Sequence, residues 1–364
     1  MHKKIITYVA LGSFLLFSIF IYINQKFESD IGIVLPATGR FANISEDVLH
    51  GIDIATQDLS VQNIYTEDTS GEATKAVSAL QNLLHTKKVK LVISGPGGST
   101  SNLAMSSTIN TEQVPLLAIS STPTLREKKD YIFMLHPSIE SEVQAMIRYL
   151  KEKNIKKVAV LYDNSSDTQT LANTIFVKEF IKESGQTITM SEGYGKDVDY
   201  KTISTKVLST NPEAVYIIAV DKIAGPLVKQ LREQKYKGML TGFSVADSAE
   251  FLKSAGIYSE GFTISALPFE CERTEKTKQY CAEYTKRFNR IPTAFGAYAY
   301  DTLTFANNAL KTCTVADMQK CLLTFDHSTI DYLTEGFSID QNGDLPIDVP
   351  IYTKQVIGGV FKKI

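Results

Sequence analysis

From Asp30 onward the chain alternates short apolar runs with stretches whose apolar residues recur every three or four positions. The run IGIVL (31–35) reads as a strand, and the stretch after it puts Val48, Ile52, Ala55 and Leu59 on one side of a helix over 44–59. Ser45, followed by Glu46 and Asp47, is the expected start of that helix, with acids at its positive end. VQNIYTED (61–68) reads as a second strand and 71–86 as a second helix. KLVIS (90–94), a helix from Ser99 and VPLLAIS (114–120) continue the series. After Pro137 the rhythm restarts: helix 141–154, strand 156–163, a helix over 168–184 closed by Gly185, and strand 186–190. It goes on through a helix over 198–210 ended by Asn211-Pro212, strand 213–220, helix 222–236, a short strand at 238–240 and another at 261–267. Continuous apolar strands between helices mean parallel sheets covered on both faces, and two such rounds mean an α/β fold of two doubly wound lobes. Strand twist makes the crossovers right-handed.

The remainder is less regular. Helices are expected over 271–289, 291–312 and 314–325, the last with Thr314 as its cap. FSID (337–340) looks like a strand, Asn342-Gly343 marks a turn, and 349–364 returns to strand character. No low-complexity linker separates the rounds, which points to lobes that share more than one crossover; two independent tandem domains are the alternative.

The N-terminus changes the picture of where this fold resides. Lys3 and Lys4 precede an uncharged apolar segment from Ile5 to Ile23. As a helix it would extend about 28 Å, enough to cross a bilayer core. It reads either as a signal peptide or as a retained membrane anchor; its length, and the Asn24-Gln25-Lys26 that follows in place of a small-residue cleavage site, favour the anchor. In both cases the basic flank places the rest of the chain outside the cytoplasm. Export permits disulfides. The four cysteines, Cys271, Cys281, Cys313 and Cys321, allow three pairings; local pairs at separations of ten and eight residues fit, and four buried thiols are the alternative. A formal net charge of −2 lacks the basic footprint of a nucleic-acid binder.

Candidate chemistry concentrates at the strand ends. GPGGSTSN (95–102) follows an apolar run directly, but has neither the lysine of a triphosphate-binding loop nor the glycine spacing of a dinucleotide fold, so no cofactor is expected. Gly97 and Gly98 allow close backbone approach. A helix starting at Ser99 would aim free N–H groups at an anion or carbonyl oxygen, with hydroxyls from Ser99, Thr100 and Ser101 beside them. Simple helix capping is the plainer reading. The loops 119–125 and 35–41 end neighbouring strands at the same edge, and 162–169, 219–225 and 241–247 do so in the second round. Open α/β sheets bind ligands at that edge, so two facing edges would enclose a small polar solute. Catalysis has little support: G-x-S-x-G and H-E-x-x-H are missing, and the histidines read as packed or exposed residues. Asp163 and Asp167 could act as paired carboxylates or metal ligands, though a turn role suits Asp163 better; Asp301 reads as a cap or an interlobe hydrogen-bonding residue.

The opening IGIVLPATGRFANISEDVLHGIDIATQDL, with Pro36, Thr38, Gly39 and Gly51, resembles the Leu/Ile/Val-binding protein family of type I periplasmic solute-binding proteins. GPGGSTSN, FMLHPS (133–138), AYDTL (299–303) and Asn342-Gly343-Asp344 match further elements in order, from about Ile31 to Val360. The resemblance implies two Rossmann-like lobes joined by three crossovers, with lobe 1 at 31–136 plus 268–327 and lobe 2 at 137–267 plus 328–364, after an N-terminal segment 1–29. It implies an ABC-transporter component that binds an amino acid or amide-like ligand between the lobes and delivers it to a permease, without catalysis. A ligand-sensing receptor module and an envelope hydrolase are the rival functions. The family's ligand-binding positions carry over to Gly98, Ser99, Ser120, Ser121 and Thr122 in lobe 1, and to Asp167, Asp221 and Ser244 in lobe 2. The last three replace aromatic or acidic residues of the family pattern, which puts a branched-chain amino acid in doubt.

Overall fold

The computed structural model describes residues 30–364 except 98, 127, 129, 183, 196, 197, 315 and 316. The apolar segment 5–23 lies outside the described residues, and among those described no helix is long and apolar enough to cross a membrane.

The first sheet contains β1 (Ile31–Leu35), β2 (Ile64–Asp68), β3 (Leu91–Ser94), β4 (Leu116–Ala118) and β5 (Ile132–Met134), in the order β2-β1-β3-β4-β5 and parallel throughout. Alternate residues of β1 explain its unbroken apolar character. Ile31, Ile33 and Leu35 join one buried cluster, and Val34 joins another on the opposite face. α1 (Ala42–Leu59) lies on the first face, α2 (Ala73–Gln81) and α3 (Ser99–Glu112) on the second. α1 starts three residues before the expected Ser45, which is buried inside it.

The second sheet takes β6 (Lys157–Asp163), β7 (Thr187–Tyr194), β8 (Ala214–Ile218), β9 (Met239–Gly242), β10 (Thr263–Ala266), β11 (Tyr352–Ile357) and β12 (Val360–Lys363). Strands β6 to β10 are parallel; β11 and β12 form an antiparallel hairpin on the edge of β10, a departure from the all-parallel expectation. Val158 and Val160 face one buried cluster and Ala159 and Leu161 the other. The helices over this sheet are α4 (Ile139–Glu152), α5 (Asp167–Phe180), α6 (Tyr200–Ser209), α7 (Asp221–Glu233) and α8 (Ala249–Ala255). Ser138, Ser166 and Asp199 cap α4, α5 and α6 through their side-chain oxygens.

After β10 the chain returns to the first lobe as α9 (Glu275–Phe288), α10 (Ala294–Thr312) and α11 (Met318–Thr324). α10 lies along α1 so closely that a Cβ on Gly51 would stand 2.0 Å from the carbonyl oxygen of Gly296. Beside this contact the buried Asp47 carboxylate accepts hydrogen bonds from Tyr284, from the Thr293 hydroxyl and amide, and from the Gly296 amide at 3.1 Å. Burial pushes that carboxyl above its ordinary value, and these donors oppose the shift.

Where the sequence reading passes to the second lobe at residue 328, the chain first packs on lobe 1. Leu333, Phe337, Leu345 and Val349 belong to the lobe 1 core. Asp301 accepts from the amides of Leu333 and Thr334 at 2.8 Å and from the Thr334 hydroxyl at 2.7 Å. Asp344 accepts from the Met134 amide at 3.1 Å. The strand expected at 337–340 does not form; Asp340 instead accepts from the amides of Asn342 and Asp344 and builds the turn around Gly343, at φ 94°. The chain thus passes between the lobes after β5, after β10 and before β11. Both local disulfides are present, Cys271–Cys281 and Cys313–Cys321, the first tying the approach to α9 and the second joining α10 to α11.

Two outcomes follow for stability. Gly51→Ala forces α1 off α10 and should cost about 1–3 kcal/mol in urea unfolding. Replacing Cys313 and Cys321 together with Ser frees a short loop and should cost about 2–3 kcal/mol in the same assay.

Candidate functional site

The C-terminal edges of the two sheets face each other across a cleft of about 670 Å³. From lobe 1 the loop after β1 supplies Arg40 and Phe41, the loop after β3 supplies Pro96 and Gly97, and the segment after β4 supplies Ser120 and Ser121. From lobe 2 come Asp163 and Ser165 after β6, the first turn of α5, Val220 and Lys222 after β8, and Phe243 and Ser244 after β9. Gly97 has φ +72°, and a Cβ there would stand 2.5 Å from the Phe41 ring, so the loop needs glycine for its turn and for the aromatic wall against it.

Besides the Ile139 amide, which donates to the Ser121 hydroxyl at 3.2 Å, the described residues place hydrogen bonds across the cleft at two further places. At the N-terminus of α3, the Ser99 hydroxyl lies 2.6 Å from the Thr168 hydroxyl of lobe 2 and 2.9 Å from the Ser121 carbonyl, to which it donates. At the rim, Arg40 pairs with Asp163 and donates to the Ser165 hydroxyl at 2.7 Å. Asp163 also accepts from the Ser165 amide at 2.8 Å, so it serves both as a turn residue and as an interlobe anion. The lobes are therefore in contact across the cleft.

The inner end is more deeply buried and differently composed. Glu142, in the first turn of α4, has no exposed surface, and neither carboxyl oxygen has a hydrogen-bond partner among the described residues. The hydroxyl and amide of Ser244 approach it without bonding in ordinary geometry, and the Ser244 hydroxyl is likewise unpaired. Burial pushes the Glu142 carboxyl up to about 8, so it is largely protonated at neutral pH. His136 also lines the cleft; burial pushes its ring down to about 4. Its Nδ1 lies 2.8 Å from the Pro137 carbonyl, which can only accept, so Nδ1 carries the proton and Nε2 is left an acceptor. Phe41, Phe243 and Phe295 supply apolar walls.

Of the residues singled out in the sequence, Ser99, Thr100, Ser120, Ser121, Asp167 and Ser244 line this cleft together. Gly98 lies outside the described residues. Thr122 and Asp221 do not line it. Thr122 is buried, its hydroxyl 3.5 Å from the Asn102 amide. Asp221 is taken by the Ser248 hydroxyl at 2.8 Å and the Lys222 amide at 2.7 Å, and faces a smaller cavity of about 260 Å³. Arg40, Glu142 and Thr168 escaped the sequence reading; the only signal for Glu142 was an acid placed among the apolar positions of α4. No group of three or more metal-ligating side chains occurs among the described residues.

Comparison with known proteins agrees with this geometry. The isoleucine complex of the branched-chain amino acid transporter substrate binding protein LivJ from Streptococcus pneumoniae is 21% identical, with TM-score 0.79 over 92% of this chain and 99% of that one. A solute binding protein of an ABC transporter from Rhodopseudomonas palustris, solved with benzoate, is 14% identical, with TM-score 0.81 over 92% of this chain and 94% of that one. A curated Pseudomonas aeruginosa "Amino acid binding protein" is 24% identical over 216 residues, 56% of this chain; the match spans 57% of that relative's length. Residues 28–335 match the family described as periplasmic binding protein. Two lobes with parallel-sheet cores meeting edge to edge over a cleft, together with that match over most of the sequence, make the chain a member of the periplasmic binding protein family.

Proposed function

We propose that this protein is an extracytoplasmic solute-binding component of an ABC transporter. It takes a small carboxylate-bearing molecule, an amino acid or a related organic acid, into the interlobe cleft and passes it unchanged to a membrane permease. The observation that carries this reading is the cleft itself, lined by strand-end loops of both lobes and bridged by Ser99–Thr168 and Arg40–Asp163. A solute that touches both rims favours the closed arrangement by its differential affinity, and closure is what a permease can read. The first turn of α3, with hydroxyls from Ser99 and Ser121 beside it, suits the carboxylate. Relatives described with isoleucine and with benzoate have in common a ligand that carries that group. The apolar segment 5–23 would tether the protein beside its permease. A wholly apolar side-chain pocket of the branched-chain type is not favoured, because His136 and Gln169 are among the residues that line the cleft.

Calorimetry and X-ray scattering with a broad panel of amino acids and organic acids test the reading. One solute at least should bind and tighten the particle; a folded protein that neither binds nor compacts with any of them overturns it. With a solute in hand, Ser121→Ala should weaken binding about tenfold, the loss of one hydrogen bond to a charged group from a hydroxyl whose own proton is uncommitted among the described residues. Arg40→Ala should raise the dissociation rate more than it lowers the association rate, since it removes a contact made only when the rims meet.

A further inference from the structure

We propose that Glu142 selects ligands carrying a cationic amino group, accepting that group on its carboxylate at the inner end of the cleft. This rests on the solute-binding reading above and assigns the second end of the ligand. The polar atoms left unpaired there can all accept once the Glu142 carboxyl is ionised: both its oxygens, the Ser244 hydroxyl and the Gln169 carbonyl oxygen. His136 adds an acceptor at Nε2. A buried carboxyl with no partner costs stability, and an enclosed ammonium offsets that cost with charge and several donors at once. Among the described residues none supplies a cation to this carboxyl. Tyr216 on β8 and Tyr298 on α10 lie near enough to sense the Glu142 charge, and burial keeps both neutral. Lys354 on β11 is held by Asp247 and Glu270. Arg40 is spent on Asp163 at the rim, and among the other charged cleft residues Glu72, Asp167 and Lys222 none is a hydrogen-bond or ion-pair partner of Glu142. Phe243 and Phe295 border the same cleft and suit an alkylammonium stem.

The consequence is a proton exchange. In the empty cleft the carboxyl is protonated at neutral pH, since its raised position near 8 lies above the medium. An entering ammonium ionises it, and the proton leaves to buffer. Affinity for the amine should therefore rise with pH up to about 8 and then level.

The test uses the full-length chain and its Glu142→Gln variant with matched probes: L-leucine against isocaproate, and L-phenylalanine against hydrocinnamate. Each pair differs chiefly by the amine. Calorimetry at pH 7 in phosphate and in Tris reads affinity and proton release together. The amine-bearing partner should bind at least ~10-fold more tightly to the wild type, with release of close to one proton. Glu142→Gln should erase both the preference and the release. Equal affinity within each pair, or a preference and release that survive Glu142→Gln, overturns the proposal. Should none of the four bind, infrared spectroscopy decides with ethylammonium chloride as the probe. The protonated-carboxyl band missing from Glu142→Gln should fall in the wild type with ethylammonium and persist with sodium chloride; a band that is missing from wild type or unmoved overturns the proposal. A solute that binds without amine preference defeats only this assignment, whereas absence of any binding or compaction across the broad panel defeats the transport reading itself. If Glu142→Gln fails to fold, the wild-type pairs and their proton count still decide.

Discussion

Neighbouring parallel strands cannot be joined by a tight turn. Each must release the chain at its C-terminal end into a loop that opens a helix, and the helix must run back across the sheet. Every strand of a parallel sheet therefore delivers its loop to the same edge, along with the unpaired N–H groups of the helix that follows. In this protein that constraint operates twice. β1, β3 and β4 empty their loops onto one edge, β6, β8 and β9 onto another, and the fold turns these edges toward each other. The site has no separate scaffold; it is what two such sheets leave exposed.

What keeps the edges in register is the way the chain is shared. Three passages between lobes bind the two halves at one side and leave the opposite side to the weaker Arg40–Asp163 and Ser99–Thr168 contacts. Arg40 is partly solvated, and an ion pair of that kind contributes little by itself. The asymmetry suits a jaw: a back fixed by the three chain passages, and a front held by side-chain contacts. The buried interior near Glu142 works in the opposite sense, because a buried carboxyl without a partner is a cost that a donor entering the cleft would offset.

The strand–helix alternation was legible because both faces of each sheet are covered, so β1 and β8 are apolar at every or nearly every position and their helices are amphipathic. The polar loops were legible for the same topological reason, and Ser99, Ser120 and Ser121 are where such reasoning places them. Register within loops was not. Asp221 begins α7, one residue before the expected start, and its side chain turns to Ser248 on the next connection, a partner 27 residues away. Arg40 and Asp163 are separated by 123 residues, and no local pattern pairs them. Glu142 sits where an acid in a first helical turn ordinarily serves the helix dipole; its burial is set by Ser244 and the cleft, which periodicity cannot report. The segment after residue 328 misled because Leu333, Phe337, Leu345 and Val349 have no helical or strand period, and an irregular chain takes its place from the surface it finds.

The late return of the chain bears on how the molecule matures. β10 gains its outer neighbour only from β11, near the C-terminus, and the lobe 1 sheet waits for α10 to cover it. A polypeptide threaded through a membrane from its N-terminus would emerge with both sheets half clothed, and neither could close its core until almost the whole length had crossed. Pairings of such long sequence separation form slowly. The bare strand β10 and the uncovered face of β1 are then the surfaces most open to wrong association. The interleaving that joins the two lobes therefore makes the protein's biogenesis depend on α10, β11 and β12, segments far along the sequence from the sheets they complete.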